Sequence, residues 1–238
     1  MPRRILQYSL IAAPLVLCLA VFSQTQPVEP GNEPAPMPSD RATESFLIYS
    51  SLIPLGETAG QGWPHEQWLV NNATVRVVAD GQPCAPVPNT ADQHAFDTSV
   101  NPHNAVHFPE EYEVSGVEIL QDFDAHCHER WKLDGGSWSL KEPVRLLTPA
   151  EQGEFASTRP EPWGKQKSTP SPEILAKYKG APAIYSFSGV YFNHNHTVAL
   201  VYATHWCGGL CGQGFWVGLV LDHGQWKQQQ WGTMGWIS

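Results

Sequence analysis

The chain has 238 residues, a net charge of −9 and 42% hydrophobic residues, with ten Trp and five Cys. That length is enough for one domain with a real core, or at a stretch two small ones. Only 14 Lys and Arg are present, scattered, against 23 Asp and Glu; this excludes the phosphate-neutralising stripe of a nucleic-acid binder and disfavours an anionic membrane surface.

The chain opens MPRRILQYSLIAAPLVLCLAVFSQTQ. Arg3 and Arg4 precede an apolar run from Leu10 to Phe22, broken by Pro14, and a cut site falls near Ser23. This is the pattern of a secretory signal peptide over residues 1–23, and the run is short for a membrane span, which needs about 20 apolar residues. An uncleaved N-terminal anchor is the rival reading. Leu17 is too bulky before Cys18 for a lipidation site, and Arg3-Arg4 is a poor twin-arginine match. Residues 24–40, QTQPVEPGNEPAPMPSD, are Pro-rich and read as an extended linker. Residues 41–238 then form a single α+β domain, in a secreted or periplasmic protein.

Residues 40–53 read as a helix with Asp40 as cap, an apolar stripe of Phe46, Tyr49, Leu52 and Ile53, and Pro54 as terminator. Residues 73–79, ATVRVVA, read as a strand, and Asp80-Gly81 as a turn. Residues 81–110 form a long polar loop, a length that marks a functional or poorly ordered segment. Residues 110–131 read as a helix opened by acids, with Val117, Leu120, Phe123, Cys127 and Trp131 on one face. A short strand over 143–148 leads into a helix capped by Thr148 with Pro149 at its first position. Residues 158–173 are a second Pro-rich loop. The last third carries four β-rich runs, 183–192, 197–206, 215–222 and 225–237. Short turns between them predict a four-stranded antiparallel meander packed with two or three helices from the N-terminal half, an α+β class.

Outside the leader stand Cys84, Cys127, Cys207 and Cys211. An even count in an exported chain favours disulfides, although four cysteines allow three pairings. The expected pairs are Cys207–Cys211, because the Gly-rich segment between them folds back readily, and Cys84–Cys127 as the remainder. Redox use of Cys207 and Cys211 is disfavoured, since three residues separate them and strands flank the loop. His126-Cys127-His128 resembles a ligand cluster, but helical neighbours are about 100° apart, so both histidines do not reach one ion on the same helix. His194 and His196 lie at the opposite end of a strand from His205. That leaves His205, Cys207 and Cys211 one donor short of a structural zinc set.

No nucleophile elbow, zincin helix or P-loop is present. Trp206, Trp216, Trp226, Trp231 and Trp236 all fall in the meander. The plain reading is that they fill the sheet–helix interface; the functional one is a row of exposed rings that stack on a sugar or peptide. Asn72-Ala73-Thr74 and Asn195-His196-Thr197 match the N-glycosylation pattern.

The segment SGVYFNHNHTVALVYATHWCGGLCGQGFWVGLVLDHGQWK and the closing WIS resemble a group of exported bacterial proteins of uncharacterised activity. In that group a strand pair, a Cys-Gly-rich loop and a strand ending in a Gly-Lys-Trp-type turn follow one another. Here the turn, Asp222 to Trp226, is one residue longer. FLIYSSLI and ILQDF resemble its upstream helices. The resemblance implies export and a single domain, and no activity, cofactor or catalytic residue.

The leading expectation is an exported, disulfide-stabilised, non-enzymatic domain with a binding or structural role, with Trp206, Trp216, Trp226 and Trp231 as candidate contacts and a glycan or peptide as ligand. No cofactor, nucleic acid or membrane partner is expected after signal cleavage. One alternative is a cell-envelope hydrolase with Glu118, Asp122 or His205 as base. Another is metal binding through His205, Cys207 and Cys211.

Overall fold

The structure, a computed structural model, describes residues 33–53, 66–85, 100–159, 169–209, 211–231 and 234–237. The leader expected over 1–23, and residues 86–99 of the loop expected over 81–110, lie outside them. In chain order the elements are β1 (Ala35–Pro36), α1 (Ser39–Leu52), β2 (Trp68–Asn71) and α2 (Pro102–Ala105). A 3-10 turn at Glu110–Tyr112 leads into α3 (Glu113–His126). Then come β3 (Trp131–Lys132), β4 (Val144–Leu147), α4 (Pro149–Ser157) and α5 (Pro172–Lys177). The last third supplies β5 (Ile184–Phe187), β6 (Tyr191–Phe192), β7 (Val198–Gly208), β8 (Cys211–Asp222), β9 (Gln225–Gln228) and β10 (Met234–Ile237).

The class is α+β, but the sheet is mixed and larger than a four-stranded meander. Eight strands join in the order β10-β8-β7-β5-β2-β4, with β6 also on β7 and β9 also on β8. Pairings among β5 to β10 are antiparallel, whereas β2 pairs in parallel with both β5 and β4. The expected strand at 73–79 is absent; β2 precedes it, and Ala73 makes one isolated bridge to Lys132. A central parallel strand is covered on both faces, so WLVN shows a buried run and no alternation. The segment read as linker is described from residue 33, and there Ala35–Pro36 runs parallel to Trp131–Lys132.

Helix starts follow local chemistry. Thr148 and Glu151 form a reciprocal capping box on α4, with Pro149 in the first turn. Ser171 caps α5, a helix that begins at the end of the stretch read as loop over 158–173 and was not expected. Asp40 does not cap α1; Pro38 holds that position and Asp40 lies in the first turn, where a carboxylate suits the helix dipole.

The sheet alternates between two faces. One buries Phe46, Tyr49 and Leu52 of α1 against Trp68, Tyr185, Phe187, Ala199, Val201 and Leu219. The other carries two clusters. Ile119, Phe123 and Cys127 of the α3 region meet Tyr191, Leu200, Tyr202 and Trp216. Further along, Phe155 and Tyr178 meet Leu69, Leu147 and Ile184. Phe123, Cys127 and Trp131 are buried as expected, but at the start of α3 the buried side is shifted: Val117 is 54% exposed and Ile119 is buried. Gly116 sets this rotation, because a Cβ there would meet the Phe108 ring at 2.5–2.9 Å.

Candidate functional site

The β5–β6 segment breaks at Ser188–Val190, and its outer edge would leave backbone groups unpaired. Side chains fill that role. Arg41 Nη1 donates to Val190 O at 3.1 Å, and Asp122 Oδ2 accepts from Phe192 N at 2.9 Å. Tyr49 Oη donates to Ser188 O at 2.8 Å. Arg41 and Asp122 also pair directly, with side chains only 11% and 15% exposed. An ion pair from two helices thus plugs an open strand edge, the place where a sheet otherwise invites pairing with another chain. Arg41 also faces the Trp131 and Phe192 rings, at 5.7 and 5.9 Å.

This edge absorbs two of the expected bases. Asp122 is committed to Arg41 and Phe192, and Glu118 accepts from the amide of His194 at 3.0 Å. His205 lies on the α1 side of the sheet, opposite Tyr185 in register. Burial pushes its pKa below the ordinary value, which favours the neutral ring.

On the opposite face, between the two clusters, three strands present a polar row. Asn71 of β2 donates from Nδ2 to Ser186 Oγ of β5 at 2.6 Å. Ser186 stands opposite Thr204 of β7, and Thr204 opposite Gly214 of β8. Ser186 is 9% exposed, and Asn71 and Thr204 are half-buried. Asn71 Oδ1 is shut off from solvent with no hydrogen-bond partner among the described residues. A buried acceptor without a donor is the kind of group an ordered water satisfies. The next row along β7 brings Trp206, half-buried, its ring centroid 6.2 Å from that of Phe155. Strand alternation decides the chemistry: Ser186 and His205 point to opposite faces, so the serine has an amide beside it and no imidazole. The row offers hydrogen bonds and an indole. It does not assemble a nucleophile with a base.

The tryptophans do not form one exposed row. Trp216 is 1% exposed, with Nε1 donating to Val100 O at 2.7 Å, and Trp231 is 9% exposed against Phe108 and Tyr112. Trp226 packs on the α1-side cluster, 5.9 Å from Phe192. Of the four candidate contacts, Trp206 alone adjoins the polar row. The others are core and rim, as expected of large rings at a sheet–helix interface.

Cys84 and Cys127 are joined, with Cα atoms 6.2 Å apart, as are Cys207 and Cys211, at 5.1 Å. Among the described residues, the trio of possible ligands within reach of one another is Cys84, Cys127 and His128. His205 does not gather with Cys207 and Cys211, because Cys207 and Cys211 close on each other and His205 turns toward Tyr185. Sequence spacing did not reveal the polar row, whose members are contributed by three strands far apart in the chain.

No family model, curated protein or solved structure matches the chain. Among the described residues no helix is long and apolar enough to cross a membrane.

Proposed function

We propose that the protein is an exported binding domain whose ligand is a neutral, hydroxyl-rich molecule such as a glycan, held on the Asn71–Ser186–Thr204 row. The observation that carries this reading is the row of neutral polar side chains that the register of β2, β5 and β7 brings together, Asn71 bonded to Ser186 at 2.6 Å and Thr204 beside it, with Asn71 and Thr204 only half-buried. Hydroxyls of a sugar suit neutral amide and hydroxyl partners of this kind, and the adjoining Trp206 indole offers a face or edge for a pyranose ring. The absence of charge in the row argues against an ionic ligand. The leader pattern, the two cystines and the resemblance of the last fifty residues to exported proteins support the compartment.

The test is calorimetric titration of the mature, oxidised protein with a panel of neutral oligosaccharides and uncharged peptides. The expected result is saturable binding of an oligosaccharide that Trp206→Ala weakens at least about 10-fold. Binding of uncharged peptides alone would move the ligand class to peptide. Turnover of an oligosaccharide would replace the binding reading with the hydrolase one.

A further inference from the structure

The geometry points to a second site, independent of the polar row: Cys84, Cys127 and His128 form a thiol-gated site for a soft cation, Cu(I), that opens when their disulfide is reduced. The two sulfurs and a ring nitrogen of His128 lie within 4.8 Å of one another. The sulfurs are bonded to each other in this state, and once reduction frees them the three donors lie near enough to close on a single ion bound at roughly 2.0–2.3 Å. His126 and His128 flank Cys127 along the chain, and helical spacing alone keeps the two imidazoles from one ion. The fold resolves the difficulty differently. His126 turns back on α3, its Nδ1 2.8 Å from Asp122 O, and the third donor comes from Cys84. Asn101 fixes that cysteine by donating from Nδ2 to Cys84 O at 2.8 Å.

The surroundings suit a cation reached from one side. Cys127 is 2% exposed and Cys84 9% exposed, whereas His128 is exposed. The imidazole is therefore the entry ligand and the sulfurs are the inner ones. Cys127 is the C-terminal cap of α3, where the helix dipole places partial negative charge. Two thiolates and one imidazole make a soft, three-donor set. Structural zinc asks for a fourth protein ligand, and none joins the trio among the described residues, so the set fits Cu(I) better.

Opening the site requires an external dithiol. It delivers two electrons and two protons to the Cys84–Cys127 bond and is itself closed to a disulfide. Binding of Cu(I) then releases the two thiol protons to solvent as both sulfurs coordinate as thiolates. In the oxidised protein the same residues are a structural cross-link, so the two states exclude each other.

The test uses the mature chain carrying Cys207→Ser and Cys211→Ser, which isolates the pair. After anaerobic reduction and removal of the dithiol, Cu(I) is titrated in competition with a colorimetric Cu(I) chelator. The expected result is one Cu(I) per chain, with affinity reduced at least about 10-fold in His128→Ala and unchanged in His126→Ala. The oxidised chain should take up none against the chelator. Equal affinity in His128→Ala, an equal loss in His126→Ala, or preferential retention of Zn(II) would each overturn the assignment. Circular dichroism of the same samples closes the remaining route: a reduced chain that is unfolded and is not restored by Cu(I) also overturns it.

Discussion

Replacing Asp122 by Ala should be among the most damaging single changes to this fold. The carboxylate pairs with Arg41, accepts from Phe192 N at 2.9 Å and lies 3.1 Å from His126 Nδ1. After the change, Arg41 stays charged and 11% exposed, keeping its bond to Val190 O and its two aromatic neighbours but no carboxylate. Breaking one side of so sheltered a pair costs about 3–5 kcal/mol, where an exposed pair would cost about 0–1 kcal/mol. Removing both charges in Arg41→Ala/Asp122→Ala, with Arg41→Ala as the second single, leaves Val190 O and Phe192 N unpaired without a stranded charge, at about 1–3 kcal/mol each. The double variant should therefore cost less than the sum of the singles, by about 0.5–3 kcal/mol. Urea unfolding of the oxidised protein, followed by far-ultraviolet circular dichroism, measures all three differences. A cost below about 1 kcal/mol for Asp122→Ala, with additive singles, would refute the plugged-edge argument.

The two cystines should contribute unequally. Sequence separations of 43 and 4 correspond to about 4 and about 2 kcal/mol of chain entropy, so Cys84→Ser/Cys127→Ser should lower the urea midpoint more than Cys207→Ser/Cys211→Ser. Gly218→Ala would drive a methyl into the Trp231 ring, and overpacking of this kind costs about 1–3 kcal/mol. A shift in tryptophan emission should report the displaced ring. Hydrogen bonds from Thr148 N and Arg145, foremost among its partners, hold the Glu151 carboxyl down at about 2 against an ordinary 4.5. Its contribution to stability is complete above pH 4.5 and is lost as pH falls toward 2, so Glu151→Gln should flatten the stability profile in that window. If the profile keeps its slope there, the hydrogen bonds that Arg145 and Thr148 N donate to Glu151 are not the source.

Helix positions were legible wherever side chains announce a start or a stripe. Thr148-Pro149 and the Phe46–Tyr49–Leu52 stripe are read straight from spacing. The turn-linked strands β7 and β8 are equally plain, because their runs are long and their separator is short. The parallel part of the sheet was hidden. WLVN is four residues long and buried on both faces, so neither length nor alternation distinguishes it from a piece of helix. On α3 two stripes compete at spacings of three and four, and packing of Phe108 over Gly116 decides between them. Asp122 and Glu118 carry no mark of their role, since the groups they satisfy are backbone atoms of a strand edge some seventy residues away. The polar row was invisible for a related reason: Asn71, Ser186 and Thr204 become neighbours only through strand register. Tryptophan counts, conversely, drew attention to rings that the core had absorbed.

The most direct measurement is the binding enthalpy of a neutral oligosaccharide to the oxidised protein, compared with that of Ser186→Ala/Thr204→Val. Both substitutions preserve shape and remove hydroxyls from the polar row. Saturable binding to the wild type and at least about a 10-fold loss in the variant are expected, in a variant that still unfolds cooperatively although it loses the Asn71–Ser186 hydrogen bond. Equal affinity in the two proteins, or no saturable heat with any neutral oligosaccharide, would contradict it.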